Sequence, residues 1–460
     1  MNPDNKSIQD RRHLHLLICI CLISLCMKLF LLYYLSSDEQ RFIGVDTPTY
    51  VGPAMALLEN GAFLQGPNQW DTPETFRTPG YPIFLAFSFF VSSKNIPFTI
   101  VLQIFIFTGT LILTFLTCKK MFGSGAGIIA VILLAFDPPS FVHNFLLLTE
   151  TLATFFTVFF VFSVVKYFEE KNNLVWACFV GLTLALATLV RPTTYYFFPV
   201  LLLLVAAYQF KTGKWGHSGR KALVLMVVPF ILLVGGWLVR NWNVAGVLRC
   251  ETQKGMALLY GKGTQILSYK ENIDADTAMK LTSEHFFEVY PEARKMPSRE
   301  VDKLMMDMAI KMIIANPGVV IKTQMIQLVN FMFEPGTTSS LFRLLNPQYE
   351  IKKFNWYGYR GYLLGMIENN PLFLLSLFLG LGYICLQYVC SFYGLFHFSR
   401  VNMSNYPFWN HLFIFLFICY VANIFALGSG YSRYRIVIMP IISIYAGAGI
   451  WGYLQMRQKH

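Results

Sequence analysis

Long apolar stretches separated by short polar ones dominate the chain. The first occupies 14–35, directly after Arg11 and Arg12, and ends on Tyr33-Tyr34, an aromatic pair suited to a membrane interface. Later stretches fall at 98–117, 123–137, 146–165, 174–190, 195–210, 222–240, 370–397, 408–427 and 434–455. Several reach the roughly 20 residues that a helix needs to cross a hydrocarbon core. The pattern predicts an all-α polytopic membrane protein with about ten transmembrane helices. The first stretch is too long for the core of a secretory signal and has no small-residue cleavage site, so it reads as an uncleaved first span.

Two longer polar segments interrupt this rhythm, at about 36–97 and 241–369. In the first, the apolar piece 81–91 would span only about 16 Å as a helix, too little to cross, and is expected to lie in the interface. In the second, Val301, Leu304, Met305, Met308, Ala309, Met312 and Ile313 recur at the spacing of one helix face. Asn316-Pro317 should end that helix, and 319–333 should form a second amphipathic one. The chain thus divides into a membrane module (1–240) with an outer loop at about 36–97, an outer region with amphipathic helices (241–369), and a second membrane module (370–460).

Charge orients these spans. With the N-terminus inside, the cytoplasmic segments hold Lys6, Arg11 and Arg12, then Lys119 and Lys120, Lys166 and Lys171, and Lys211, Lys214, Arg220 and Lys221. Arg400, Arg457 and Lys459 follow on the same side. Every inside segment is then basic, as the positive-inside rule requires, and both termini are cytoplasmic. A plasma or inner membrane fits this arrangement. The net charge of +12 is accounted for by these loops and by anionic head groups. No basic run has the density of a nucleic-acid arm, so no nucleic-acid partner is expected. The nine cysteines sit mostly in apolar runs and suggest neither a disulfide framework nor a zinc site.

Against this background, arginines on the outer edges stand out: Arg77, Arg191, Arg240, Arg433 and Arg435. Ionisable groups at a membrane edge are costly and find partners. Several guanidiniums on one face suit a phosphate at head-group level; each could also pair singly with a lipid phosphate or a carboxylate. The carboxylates near them are few. Asp46 follows the first span, where Asp-Thr-Pro is also a good helix start. Glu150 lies in an otherwise apolar stretch, where it could pair with His143 or Arg191. There is no phosphate-binding glycine loop, paired-histidine zinc helix or nucleophile elbow. This set points to group transfer from a lipid phosphate, with positive charge for the leaving anion and one carboxylate as general base.

The string DTPTYVGPAMALLENG, then RTPGYP, LLLTETLATFF, ATLVRPTT, GGWLVRNW, ANPG and SRYRIVIMP, taken in that order, resembles the GT-C superfamily of glycosyltransferases. Within it the likeness is to family 39, the protein O-mannosyltransferases and the lipid A aminoarabinose transferase. The resemblance implies a cell-envelope enzyme that transfers a sugar from a polyprenyl-phosphate donor on the extracytoplasmic face, by an inverting single displacement. The acceptor would be a glycan, lipid or protein. Asp46 would be the general base, and Glu150 would orient the acceptor or the arginines. Arg77, Arg433 and Arg435, with Arg191 and Arg240 behind them, would contact the carrier phosphate. Many relatives carry two adjacent acids where this chain has Asp46-Thr47, and no DxD pair is present, so neither a metal nor another cofactor is expected. The closest competing readings are an O-antigen ligase or polymerase using a pyrophosphate-linked glycan, and a lipid or polysaccharide transporter.

Overall fold

The computed structural model describes residues 3–68, 72–170, 173–334, 344–345, 371–401, 408–428 and 432–458, and it is helical almost throughout. In chain order the helices that matter here are α1 (Pro3–Leu35), α2 (Pro48–Asn60), α3 (Gly80–Ser92), α4 (Ile96–Phe122), α5 (Ser124–Ala135), α6 (Pro138–His143), α7 (Glu150–Glu169), α8 (Leu174–Val190) and α9 (Phe197–Lys211). They are followed by α10 (His217–Ala245), α11 (Lys254–Leu258), α12 (Thr264–Glu271), α13 (Ala275–Val289), α14 (Ser298–Ala315) and α15 (Pro317–Phe333). The last three are α16 (Pro371–Val401), α17 (Phe408–Leu427) and α18 (Met439–Arg457).

The protein is a multi-pass membrane protein. The ten apolar stretches are helical over most of their described length, and among the described residues 7 helices are long and apolar enough to cross a bilayer. The other three stretches correspond to α5, α8 and α9, of 12, 17 and 15 residues. At 1.5 Å per residue the shortest rises only about 18 Å, less than a hydrocarbon core. Among the described residues, against the about ten expected, seven helices thus reach spanning length, or eight if the bent pair α14–α15 is one span, and α5, α8 and α9 are shorter apolar helices. That bend is 104°, at Asn316-Pro317, where the sequence places a helix stop. All nine cysteines are free.

Helix ends are set by local chemistry. Asn95 accepts a hydrogen bond from the Phe98 N–H and opens α4; Asn173 does the same for α8 through Val175. Between helices, small residues permit backbone contact in a medium that offers no hydrophobic drive. A Cβ on Gly449 of α18 would come 2.0 Å from the Cys390 carbonyl of α16. Elsewhere the core is aromatic and aliphatic, with Phe160, Phe197, Phe413 and Phe417 meeting edge to face between α7, α9 and α17. Helix α3 buries Tyr81, Leu85 and Phe89 and turns Ile83, Phe87 and Phe90 outward, the apolar face that an interfacial helix requires. Its first turn abuts the last turn of α8, and that junction carries the site.

Candidate active site

Asp46 lies in the turn between a short 3-10 helix (Glu39–Phe42) and α2. That turn is fastened to the segment before α7. The Leu147 N–H donates to the Phe42 carbonyl at 2.9 Å, and the buried Thr47 hydroxyl donates to the Leu147 carbonyl at 2.8 Å while accepting the Gly44 N–H. The hydroxyl of Thr47, next to the acid, thus serves as a clasp. Asp46 is not a helix cap: Thr47 holds the cap position, and it is the Asp46 carbonyl that accepts the Thr49 hydroxyl at 2.6 Å. The carboxylate is free to face the arginines.

The segment before Glu150 is held from the other side. Tyr81 donates to Gln103 Oε1 at 2.9 Å, and Gln103 Nε2 donates to the Asn144 and Leu146 carbonyls, all of them buried. This fully used amide fixes the start of α7, whose first residue is Glu150. A carboxylate is favoured there by the unpaired N–H groups and the helix dipole.

Five side chains from four parts of the chain then form one ribbon of alternating charge. Arg77 Nη2 is 3.2 Å from Asp46 Oδ1, and Arg433 Nη2 is 2.6 Å from Asp46 Oδ2. Arg433 Nε lies 4.0 Å from Glu150 Oε1, and both terminal nitrogens of Arg191 lie 3.4 Å from the same oxygen. Three guanidiniums against two carboxylates leave one positive charge. Aromatic faces hold the cations in place. Arg77 stacks on Tyr50 at 4.5 Å, and its Nε donates to the Thr49 hydroxyl. Arg191 stacks on Tyr434 at 4.5 Å, and Tyr434 in turn stacks on Phe425. Glu150 is 2% exposed and its Oε2 meets no hydrogen-bond partner among the described residues, nor does Arg433 Nε. Asp46 and Arg433, each 28% exposed, form the open edge of the ribbon.

Electrostatics separates the acids. Burial alone would raise the Asp46 carboxyl, but the Arg433, Arg77 and Arg191 charges and the Arg433 hydrogen bond together hold it below the usual carboxylate range. Glu74 is pushed up to about 7 by burial, against the hydrogen bonds it accepts from the Arg77 and Phe76 N–H groups. Glu251, which the sequence reading did not single out, is also raised by burial and feels the Arg77 and Arg191 charges.

Two of the five arginines are not in the ribbon. Arg240 donates to the Phe63 carbonyl at 2.7 Å and to the Glu74 carbonyl, and stacks on Trp237. It clamps the paired segment in which Gln65 N–H meets the Thr72 carbonyl and Glu74 N–H the Phe63 carbonyl. Arg435 is 1% exposed and donates to the Phe331, Met332 and Glu334 carbonyls at and just past the end of α15, where carbonyls lack helical partners. Arg240 and Arg435, expected to face a carrier phosphate, thus lie apart from the ribbon, with terminal nitrogens engaged by main-chain carbonyls. Glu150 does pair with Arg191, one of the two partners expected of it. Among the described residues no three His, Cys, Asp or Glu side chains gather as metal ligands.

Residues 76–237 match the family described as dolichyl-phosphate-mannose-protein mannosyltransferase. This stretch contains Arg77, Glu150 and Arg191. No curated protein matches the sequence. Among solved structures, the apo oligosaccharyltransferase of Archaeoglobus fulgidus aligns over 96% of this chain and 51% of its own at 13% identity, with a TM-score of 0.52. ArnT from Cupriavidus metallidurans, bound to undecaprenyl phosphate, aligns over 95% of this chain and 77% of its own at 10% identity, with a TM-score of 0.39. The chain spans about half the length of the oligosaccharyltransferase that it matches. The fold is thus similar to that of the archaeal oligosaccharyltransferase, and the family match over residues 76–237 falls within the GT-C resemblance that the order of the short motifs led us to expect.

Proposed function

We propose that this protein transfers a sugar from a polyprenyl-phosphate donor to an acceptor on the extracytoplasmic face, with inversion in a single displacement. The observation that carries the reading is the ribbon of Arg77, Asp46, Arg433, Glu150 and Arg191, with its surplus positive charge and open edge. In the reaction an acceptor oxygen attacks the anomeric carbon, the carbon–oxygen bond to phosphate breaks, and its electron pair leaves with the polyprenyl phosphate. That anion needs preorganised positive charge more than a proton donor. Arg77, Arg433 and Arg191 supply it, while Asp46 and Glu150 hold the three guanidiniums apart in a fixed order. Asp46 holds two of these arginines in the resting site; as the carrier phosphate takes over their nitrogens its oxygens are released, and it serves as the general base that the resemblance implies.

An apolar groove of about 610 Å³ between α15 and α17, lined by residues including Ile321, Met325, Tyr420 and Leu427, suits the isoprenoid chain. Tyr420 donates to the Thr193 carbonyl, two residues past Arg191, so the groove wall is tied to the ribbon. The acceptor is a glycan, lipid or protein. The test is incubation of membranes containing the protein with a panel of labelled polyprenyl-phosphate sugars, followed by mass analysis and assignment of the anomeric configuration. Transfer from one donor with inverted configuration is expected. No transfer from any of them would overturn the reading, and a retained configuration would overturn the single displacement. Labelling of a C-terminal tag from outside intact cells would overturn the orientation.

A further inference from the structure

Arg77 is fixed at two places, and the ribbon accounts for only one of them. Its guanidinium meets Asp46, Thr49 and Tyr50. Its main chain is held by Glu74, whose Oε1 accepts the Arg77 N–H at 2.7 Å and whose carboxylate also takes the Phe76 N–H. The side chain thus closes a tight turn over residues 74–77, as an acidic cap closes the first turn of a helix. It is 3% exposed.

The main chain of Glu74 is engaged as well. Its N–H donates to the Phe63 carbonyl at 3.0 Å, and its carbonyl accepts from Arg240 Nη1. Arg240 Nη2 reaches the Phe63 carbonyl at 2.7 Å, so one guanidinium fastens both segments. Next to Glu74, the Thr75 carbonyl accepts the Thr252 N–H at 2.9 Å, and the Thr78 hydroxyl donates to the Val190 carbonyl of α8 at 3.4 Å. The turn is therefore anchored to α10, to the segment after it and to α8, and Glu74 passes that anchorage on to the Arg77 main chain.

Stability does not account for this carboxylate. The charged groups that face it are Arg77 and Arg240, yet burial outweighs them and raises the carboxyl from 4.5 to about 7. Ionisation at pH 8 thus destabilises the folded chain instead of supporting it. A buried charge held against the interest of the fold is characteristic of places where geometry serves function.

Resting on the glycosyl-transfer reading, we infer that Glu74 is a positioning residue for the carrier phosphate: it sets the direction in which Arg77 leaves the main chain. A guanidinium must be aimed as well as placed to give a phosphate two parallel bonds. The ionised carboxylate holds the turn by charge-assisted bonds, roughly twice as strong as those to a neutral acceptor.

The experiment uses the full chain in lipid nanodiscs with the donor found in the panel above. Glu74→Gln keeps an acceptor for the turn but removes the charge. Its kcat at pH 8 should fall about tenfold, with KM for the donor within about twofold, because aim matters most as the leaving anion forms. Its thermal midpoint at pH 8 should stay level or rise, which no purely structural role predicts for a slower enzyme. In an Arg77→Lys background the same change should cost less than about twofold, since an ammonium on a flexible stem finds its place from a loosened turn. A Glu74→Gln enzyme with wild-type kcat overturns the inference. So does one whose thermal midpoint falls together with its rate, or an equal loss in the Arg77→Lys background. A wild-type protein that transfers from no donor is a different result: it overturns the glycosyl-transfer reading, and the inference falls with it.

Discussion

Asp46→Asn should separate donor binding from turnover. In the resting site the carboxylate occupies Arg433 at 2.6 Å and Arg77 at 3.2 Å, two nitrogens that the carrier phosphate would take over. A charge-assisted hydrogen bond contributes about 1.5–3 kcal/mol, and the 28% exposure of Asp46 and Arg433 puts these at the lower end. Asparagine removes the competing charge and leaves the ribbon with three cations against one anion. Against this stands the loosened spacing of the two guanidiniums, which offsets part of the gain. The net expectation is about 1.4 kcal/mol, or tenfold tighter binding of polyprenyl phosphate at low salt, fading as ionic strength rises. Turnover should drop by a hundredfold or so, because leaving-group stabilisation depends on donor geometry held before the reaction. Titration calorimetry with undecaprenyl phosphate in nanodiscs, at two salt concentrations, reads the first quantity, and the donor panel reads the second. Binding weakened tenfold in the variant would refute the competition argument, and unchanged turnover would remove Asp46 from catalysis.

Three other perturbations probe the parts that hold the ribbon. Arg435→Ala leaves the Phe331 and Glu334 carbonyls without this donor, while Met332 keeps the Tyr388 hydroxyl, and should cost about 2 kcal/mol of stability, seen as a lower thermal midpoint. Affinity for undecaprenyl phosphate should change far less than in Arg433→Ala, and equal losses in the two would restore Arg435 to the phosphate site. Gly80→Ala places a Cβ 2.7 Å from the Leu189 carbonyl and 2.8 Å from the Val190 nitrogen, so α3 must shift from α8 and carry Arg77 away from Arg191. It should cost about 1–3 kcal/mol and most of the activity; a fully active variant would mean that this junction does not set the ribbon. Glu74, raised from 4.5 to about 7 in the folded protein, keeps its proton where the unfolded chain has lost it. Wild-type stability should therefore fall on the order of 3 kcal/mol as pH rises from about 4.5 to 7, and level off above. Glu74→Gln should flatten that slope in thermal unfolding scans across this range and be the more stable protein at pH 8; a slope left intact would place the titration elsewhere.

The fold was legible because membrane crossing writes itself as length and apolarity. What escaped was span length, since α5 is followed in sequence by Phe136 and Asp137, and only the structure shows the helix stopping at Ala135. Within the site, Arg77, Arg191 and Arg433 were legible as positive charge where outer loops should be poor in it. Arg240 and Arg435 gave the same signal for a different reason. Their partners are carbonyls more than a hundred residues away, and a backbone acceptor leaves no mark on the sequence. Glu251 went unseen for the converse cause: it sits in a polar segment where acids are ordinary, and its burial comes from the pairing of Thr252 with Thr75.

Arg435 also works as a rigid strut. Its three bonds tie the end of α15 to a loop whose Arg433, two residues away, grips Asp46. Helix α15 is at the same time one wall of the apolar groove. If the groove holds an apolar chain, displacement of α15 would pull on the 3-10 turn (Ser432–Ile438) that bears Arg433. The groove and the charged ribbon would then be mechanically joined through one buried side chain.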